Sequence, residues 1–150
     1  MTVGVHYRFS MPLFGNSGDD RIIGGSGDDR IKGGSGADIL IGGSGNDTIR
    51  GGEGDDLLKG GQGDDLLIGD TGADIMKGGA GDDRMVWNPG DGSDIMQGGS
   101  GIDTAIANGG GIDETFTLKQ QGRRALFDRV DPFPFTLDIK STEVVELNAG

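Results

Sequence analysis

The sequence predicts an all-β fold in which short parallel strands stack on one another as a β-solenoid, and three observations predict it. Glycine accounts for 33 of the 150 residues. The glycines recur at fixed places in a nine-residue phrase, and residues 24–50, GGSGDDRIKGGSGADILIGGSGNDTIR, contain three copies of it. One bulky apolar residue recurs near the end of each phrase. A glycine period of nine indicates repeated turns, because a linker has no period and collagen has a period of three.

Ten phrases align between Gly15 and Ile106, and an insertion of Trp87 and Asn88 separates the eighth from the ninth. Position 4 is always glycine: Gly18, Gly27, Gly36, Gly45, Gly54, Gly63, Gly72, Gly81, Gly92 and Gly101. Position 6 is always aspartate: Asp20, Asp29, Asp38, Asp47, Asp56, Asp65, Asp74, Asp83, Asp94 and Asp103. Position 8 is always apolar: Ile22, Ile31, Leu40, Ile49, Leu58, Leu67, Met76, Met85, Met96 and Ala105.

Each regular position of the phrase has a physical reason. The first six residues, GGxGxD, are incompatible with a helix, because their glycines permit positive φ and a tight bend. The last three residues suit a very short strand, whose middle side chain points opposite to its neighbours. Position 8 is therefore predicted to face inward, and positions 7 and 9 to face outward. Two phrases then form one flattened coil, and ten phrases form roughly five coils stacked about 4.8 Å apart.

The ends of the chain differ from the repeats and predict caps. Residues 2–9, TVGVHYRF, alternate between apolar and polar side chains and read as a strand that caps the first coil. After the repeats, alternation predicts strands near 114–119, 124–130, 135–140 and 143–147. We therefore divide the chain into an N-terminal capping strand (1–14), a β-roll (15–106) and a small C-terminal β cap (107–150).

The recurring aspartates indicate a cation site. Stacking places the aspartate of each phrase beside the aspartate two phrases later, and such a column of carboxylates repels itself. Residues 15–106 contain 18 acidic and 7 basic side chains, a net charge of −11 out of −12 for the chain. With no cysteine and a single histidine, His6, the available ligands are carboxylate and carbonyl oxygens. That donor set selects a hard ion, and its flexibility favours Ca²⁺ over octahedral Mg²⁺.

The phrase GGxGxDxUx resembles the repeats-in-toxin family, the hemolysin-type calcium-binding nonapeptides. The resemblance implies a right-handed parallel β-roll, Ca²⁺ bound between turns, type I secretion and folding on extracellular calcium. It also implies that the position-6 aspartates are the side-chain ligands, and that turn-glycine carbonyls complete the set: Gly18, Gly27, Gly36, Gly45, Gly54, Gly63, Gly72 and Gly81. A site between each phrase and the phrase two places later gives six sites among the eight regular phrases, and the ninth and tenth phrases add two more. We expect about six to eight ions.

Four phrases depart from the family pattern. Asn16 and Asp70 replace glycine at position 2, which predicts stiffer turns at these two places. Pro89 replaces the first glycine of the ninth phrase and weakens the case for a site there. Ala105 is a small core residue, so the roll is expected to fray or to be capped at the tenth phrase.

Several functional classes are disfavoured by the composition. A net charge of −12 disfavours nucleic acid and anionic membrane surfaces as partners. No stretch approaches the ~20 apolar residues of a membrane-spanning helix, and residues 1–15 show no Sec-type signal. The motifs HExxH, GxSxG, GxGxxG and GxxxxGK are missing, as is the EF-hand loop, so we predict no enzyme activity.

The sequence therefore predicts a noncatalytic calcium-binding β-roll of a secreted bacterial protein. One alternative is the accessory C-terminal module of a larger secreted enzyme or toxin, such as a protease, lipase or alginate epimerase. Another is a calcium-dependent rod for adhesion or partner binding. The sheet built from odd-numbered phrases has an outward apolar stripe with Ile39, Leu57 and Ile75 at its centre. We expect the C-terminal cap, a second copy of the chain or a partner chain to cover it.

Overall fold

The fold is described from a computed structural model, which describes residues 2–7, 12–109, 116–121, 124–129 and 135–148. These residues form strands joined by tight turns, and none of them is helical. The strands are β1 (Thr2–Tyr7), β2 (Pro12–Ser17), β3 (Arg21–Ser26), β4 (Arg30–Ser35), β5 (Ile39–Ser44), β6 (Thr48–Glu53), β7 (Leu57–Gln62), β8 (Leu66–Thr71), β9 (Ile75–Ala80), β10 (Arg84–Trp87), β11 (Ile95–Ser100), β12 (Thr104–Asn108), β13 (Phe116–Gln121), β14 (Arg124–Arg129), β15 (Phe135–Lys140) and β16 (Val144–Asn148).

The strands alternate between two parallel sheets, as the two-phrase coil predicts. The odd sheet has the order β1-β3-β5-β7-β9-β11-β15-β14-β13, and the even sheet has the order β16-β12-β10-β8-β6-β4-β2. Each strand of the regular phrases pairs with the strand one coil later at the same phrase position, for example Leu40 with Leu58. The predicted all-β solenoid of about five coils is therefore confirmed.

The strands are longer than the three residues predicted from the phrase. Each regular strand has six residues and continues through the first three residues of the next phrase, as in β5, ILIGGS. The glycine pair lacks side chains, so the backbones of successive coils approach closely enough to remain paired; Gly43 pairs with Gly61. Only the last three residues of GGxGxD, positions 4–6, form the turn.

The core is the column of position-8 side chains between the two sheets, which confirms the inward orientation predicted for them. Nine of these ten residues, from Ile22 to Met96, are at most 3% exposed, and Ala105 is 1% exposed. The inserted Trp87 also enters the core, and its indole N–H donates to the carbonyl oxygen of Gly92 at 2.9 Å. Trp87 pairs with the small, buried Ala107 of β12, so the insertion adds core volume at this end of the roll.

The first coil begins before the first complete phrase. Strand β1 pairs in parallel with β3 and forms an edge of the odd sheet. In β2, Leu13 pairs with Ile31 and is buried at a position-8 place. Residues 12–14 therefore act as the last three residues of a phrase, although no glycine turn precedes them.

The four predicted C-terminal strands are present as β13 to β16. Strand β14 is antiparallel to both β13 and β15, and β15 joins the odd sheet beside β11 in parallel. Strand β16 pairs with β12 along Thr104–Asn108, so the tenth phrase is capped and does not fray. The described C-terminal strands continue the edges of both sheets instead of lying across the odd face. The expectation that the cap covers Ile39 and Ile75 is therefore wrong, and these residues are 37% and 36% exposed.

Candidate metal centre

The position-6 aspartates form two columns, one along each turn edge of the roll. The odd column contains Asp20, Asp38, Asp56, Asp74 and Asp94, and the even column contains Asp29, Asp47, Asp65, Asp83 and Asp103. All ten are buried, with at most 5% exposure. In each column the backbone N–H of one aspartate donates to Oδ1 of the next, at distances from 2.7 Å for Asp20 to 3.0 Å for Asp83. The same bond joins all eight successive pairs, including those that involve the ninth and tenth phrases.

The second carboxylate oxygen of eight of these residues is buried without a hydrogen-bond partner. This holds for Oδ2 of Asp38, Asp47, Asp56, Asp65, Asp74, Asp83, Asp94 and Asp103. A buried acceptor without a donor is costly, and a buried carboxylate is more costly still unless a cation neutralises it. Eight such atoms in a regular array therefore fit a cation that prefers oxygen ligands.

The first glycine of each phrase provides the space beside this oxygen. A Cβ on Gly33 would collide with Asp38 Oδ2 and lie 2.7 Å from the carbonyl oxygen of Gly51, one coil later. Gly42 has the same relation to Asp47 Oδ2 and to the carbonyl oxygen of Gly60. A carboxylate oxygen and a carbonyl oxygen thus approach the same point with no side chain between them, which suits coordination of a hard cation.

Burial raises the pKa of the column aspartates from Asp38 to Asp103. Loss of solvation raises the pKa of Asp65 to about 7; the N–H of Asp47 opposes this rise, and the negative charge of Asp47 adds to it. The same causes raise the pKa of Asp74 to about 7 and that of Asp94 to about 8. In the chain without metal, the columns thus favour protonation, as expected for carboxylates that lack a counter-charge.

The position-4 glycines, predicted to supply carbonyl ligands, lie at the turns beside the columns. Their φ angles are positive, for example +122° at Gly36 and +121° at Gly45. The N–H of Gly18 donates to the carbonyl oxygen of Ser35 one coil later at 2.7 Å. A Cβ on Gly36 would lie 2.7 Å from the carbonyl oxygen of Gly18, so this oxygen lies between successive coils.

Sequence reasoning missed a second ladder, formed by the residues at position 5. Oδ1 of Asp28 accepts the N–H of Asn46 at 2.8 Å, and Oδ1 of Asn46 accepts the N–H of Asp64 at 2.9 Å. These bonds run opposite to those of the buried columns, because here the earlier residue is the acceptor. The side chains are exposed, so their charge remains solvated. The frequent occurrence of aspartate or asparagine at position 5 is the sequence feature that could have predicted this ladder.

The chemistry of the site is set by oxygen atoms alone. Among the described residues, no place gathers three or more acidic, histidine or cysteine side chains. A site in one interval, the space between two successive aspartates of a column, would therefore use carboxylates from neighbouring coils together with backbone carbonyl oxygens.

The described part of the chain has no helix long and apolar enough to cross a membrane.

Comparison with protein families identifies the repeats. The family described as RTX calcium-binding nonapeptide repeat (4 copies) matches residues 14–49, 50–85 and 89–111, more than half of the chain. The chain belongs to this family. The RTX repeats and the solenoid together support a calcium-binding β-roll. A comparison with curated proteins gives no match.

Proposed function

We propose that the chain is a noncatalytic calcium-binding β-roll that folds when Ca²⁺ binds between successive coils. The observation that carries the proposal is the array of eight buried Oδ2 atoms without a hydrogen-bond partner. In the metal-free chain these carboxylates oppose folding, because they are desolvated and lie beside like charges. Bound Ca²⁺ supplies the missing positive charge, so its binding free energy becomes folding free energy.

The proposed ligands are the position-6 aspartates, the carbonyl oxygens of the position-1 glycines that lie beside Oδ2, and those of the turn glycines at position 4. The regular hydrogen bond between successive aspartates supports equivalent intervals along both columns, including the interval from Asp74 to Asp94 that contains Pro89. We therefore favour eight ions, the upper end of the predicted range. The short approach of the Gly18 carbonyl to Gly36 supports a contribution from the turn backbone.

Circular dichroism during a calcium titration tests coupled folding. The chain should lack strand signal in excess chelator and gain it cooperatively at Ca²⁺ concentrations on the order of 10⁻⁴ to 10⁻³ M, as for other extracellular modules. Mg²⁺ at the same concentration should be ineffective, because it demands octahedral geometry and dehydrates reluctantly. A full strand signal in chelator would contradict the proposal.

A matched pair of variants separates the buried column from the exposed ladder. Asp56→Asn should raise the calcium midpoint severalfold and lower the cooperativity, because Asp56 is 2% exposed and joins two intervals. Asp55→Asn should change neither, because Asp55 is exposed and phrase four already has Asn46 at this position. Equal effects of the two substitutions would show that net charge, and not the column, determines calcium binding.

We further propose that the roll acts outside a bacterial cell after type I secretion. Coupled folding supports this proposal, because a chain that stays unfolded at low calcium is suited to pass through a secretion channel. Coexpression with a type I secretion apparatus, followed by detection in the medium, tests it. Retention of the chain in the cell under these conditions would contradict it.

A second function, association through the odd sheet, is favoured by the exposed stripe. Ile39 and Ile75 remain 37% and 36% exposed, with Leu57 half-buried between them. A second copy of the chain is the occupant we favour, because each copy offers the same flat apolar stripe. Light scattering with Ca²⁺ should then show a dimer, and Leu57→Lys should restore the monomer. A wild-type monomer at high concentration would contradict this second function.

A further inference from the structure

The register of the roll continues beyond the last nonapeptide phrase. Asp138 in β15 pairs with Ile95, and Val144 in β16 pairs with Thr104, so both strands occupy the places of an eleventh and a twelfth phrase. Lys140 pairs with Gln97 at position 9, and Val144 pairs with Thr104 at position 7. Only residues 141–143 lie between Lys140 and Val144, whereas six residues, positions 1–6, lie between position 9 of one regular phrase and position 7 of the next. The short connection still closes the last coil.

Glu143 takes the place of a position-6 aspartate in this connection. Its Oε2 accepts the N–H of Asp103 at 3.0 Å, as Oδ1 of Asp103 accepts the N–H of Asp83 at 3.0 Å. The carbonyl oxygen of Asp103 accepts the N–H of Val144 at 2.9 Å, which is the bond that follows each aspartate in the repeats. Glu143 therefore extends the even column by one acidic residue.

The backbone at this end also reproduces the arrangement of the repeats. A Cβ on Gly98 would collide with both Asp103 Oδ2 and the carbonyl oxygen of Ser141. In the repeats the colliding carbonyl oxygen belongs to the first glycine of the phrase one coil later, so Ser141 takes that place. Asp103 is fully buried, and its Oδ2 has no hydrogen-bond partner.

We propose that Asp103, Glu143 and the carbonyl oxygen of Ser141 form one additional Ca²⁺ site that joins the C-terminal strands to the roll. The odd column has no counterpart, because the residue before Asp138 is a leucine. The site goes beyond the nonapeptide pattern, since its second carboxylate comes from outside the repeats. It rests on the proposed function, because the same ion is bound.

The number of bound ions tests the site. Native mass spectrometry and calorimetry of the full chain with Ca²⁺ should give one ion fewer for Glu143→Gln than for the wild type. Glutamine keeps an oxygen that accepts the N–H of Asp103 but removes the charge. Glu146→Gln is the matched control, because Glu146 is exposed like Glu143 but lies three residues later in β16, where it pairs with Ile106, and should leave the count unchanged.

The outcomes separate this site from the function of the roll. A wild-type chain that binds no Ca²⁺ would overturn both proposals. A wild-type chain that binds Ca²⁺, with the same count for Glu143→Gln, would overturn the additional site alone. Glu143→Asp keeps the charge and should retain the full count at lower affinity.

Discussion

Glycines at positions 1 and 4 of the phrase satisfy different constraints, although the sequence shows the same residue at both. Gly18 at position 4 has a φ of +94°, and a Cβ there would meet open space. Gly51 at position 1 does not have positive φ, but a Cβ there would collide with Asp56 Oδ2 and lie 2.6 Å from the carbonyl oxygen of Gly69. Positive φ alone explains Gly18 at the end of the roll, and close packing of successive coils alone explains Gly51, whereas an interior position-4 glycine such as Gly36 is subject to both constraints.

The two glycines should therefore respond differently to alanine. Gly51→Ala should lower the free energy of unfolding in saturating Ca²⁺ by about 2–3 kcal/mol, because the backbone of the next coil must move. Gly18→Ala should cost only about 1–2 kcal/mol, the strain of positive φ in a residue with a Cβ. Urea unfolding followed by circular dichroism measures both. Equal losses would show that the close approach of the next coil at Gly51 costs no more than positive φ at Gly18.

The role of an individual residue can be predicted from the sequence where the same physical constraint applies to its position in every phrase. Position 6 was predicted as a column of cation-binding acids and position 8 as an inward-facing apolar column, because each residue type recurs in all ten phrases. Glu143 was not predicted, because it stands in a shortened connection without glycine, and only the register of β16 reveals its place. The role of position 5 was also missed, since Ala37 and Ile102 occur there as well and need only an N–H to join the ladder.

Strands were predictable in number but not in length or pairing. Alternation located β13 to β16 within a few residues, because half-buried strands require it. The alternation of apolar and polar residues does not predict which neighbouring strand a strand pairs with. The placement of β15 beside β11 depends on backbone groups at the open edge of the odd sheet, which every residue type provides. This is why the C-terminal strands were expected on the face of that sheet.

A ladder of asparagines joins three neighbouring strands at the C-terminal end of the even sheet. The amide of Asn148 donates to Oδ1 of Asn108 at 2.8 Å, and the amide of Asn108 donates to Oδ1 of Asn88 at 2.8 Å. The amide of Asn88 in turn donates to Oδ2 of the buried Asp91 at 3.2 Å. The inserted residues of the ninth phrase are thereby connected to the cap.

Breaking the ladder in the middle should destabilise this end of the roll. Asn108→Ala removes two side-chain hydrogen bonds and should lower the free energy of unfolding by about 1–3 kcal/mol. Lys77→Ala, at an exposed place in β9, should stay within about 0.5 kcal/mol of the wild type. Thermal unfolding in Ca²⁺ compares the two variants. A neutral Asn108→Ala would show that strand pairing alone holds β16 in place.

Across the whole molecule, a small apolar core is combined with many acidic side chains buried in the same roll. The regular coils bury mainly one apolar side chain per phrase, while they also bury one carboxylate per phrase. The burial of apolar surface favours folding, and the desolvated carboxylates oppose it. The net stability of the metal-free roll therefore depends on how many carboxylates carry charge, which is a function of pH.

The metal-free chain should accordingly become more stable on acidification. The folded-state pKa values of Asp47, Asp65 and Asp94 are raised from 3.8 to about 6, about 7 and about 8 by burial. The folded state therefore binds more protons than the unfolded state between about pH 4 and pH 8, and its stability falls as pH rises through this window, by about 1.4 kcal/mol per pH unit for each extra proton. In buffers freed of divalent ions, strand signal should increase from pH 8 to pH 5.

Saturating Ca²⁺ should reverse this dependence, because the carboxylates must then be ionised to bind the ion and protons compete with it. Circular dichroism at a series of pH values, with and without Ca²⁺, measures both trends. Asp65→Asn should reduce the pH dependence of the metal-free chain, since it removes one titrating group from the even column. If acidification instead weakens the strand signal of the metal-free chain, the carboxylates are not what opposes folding, and a different origin for the calcium requirement must be sought.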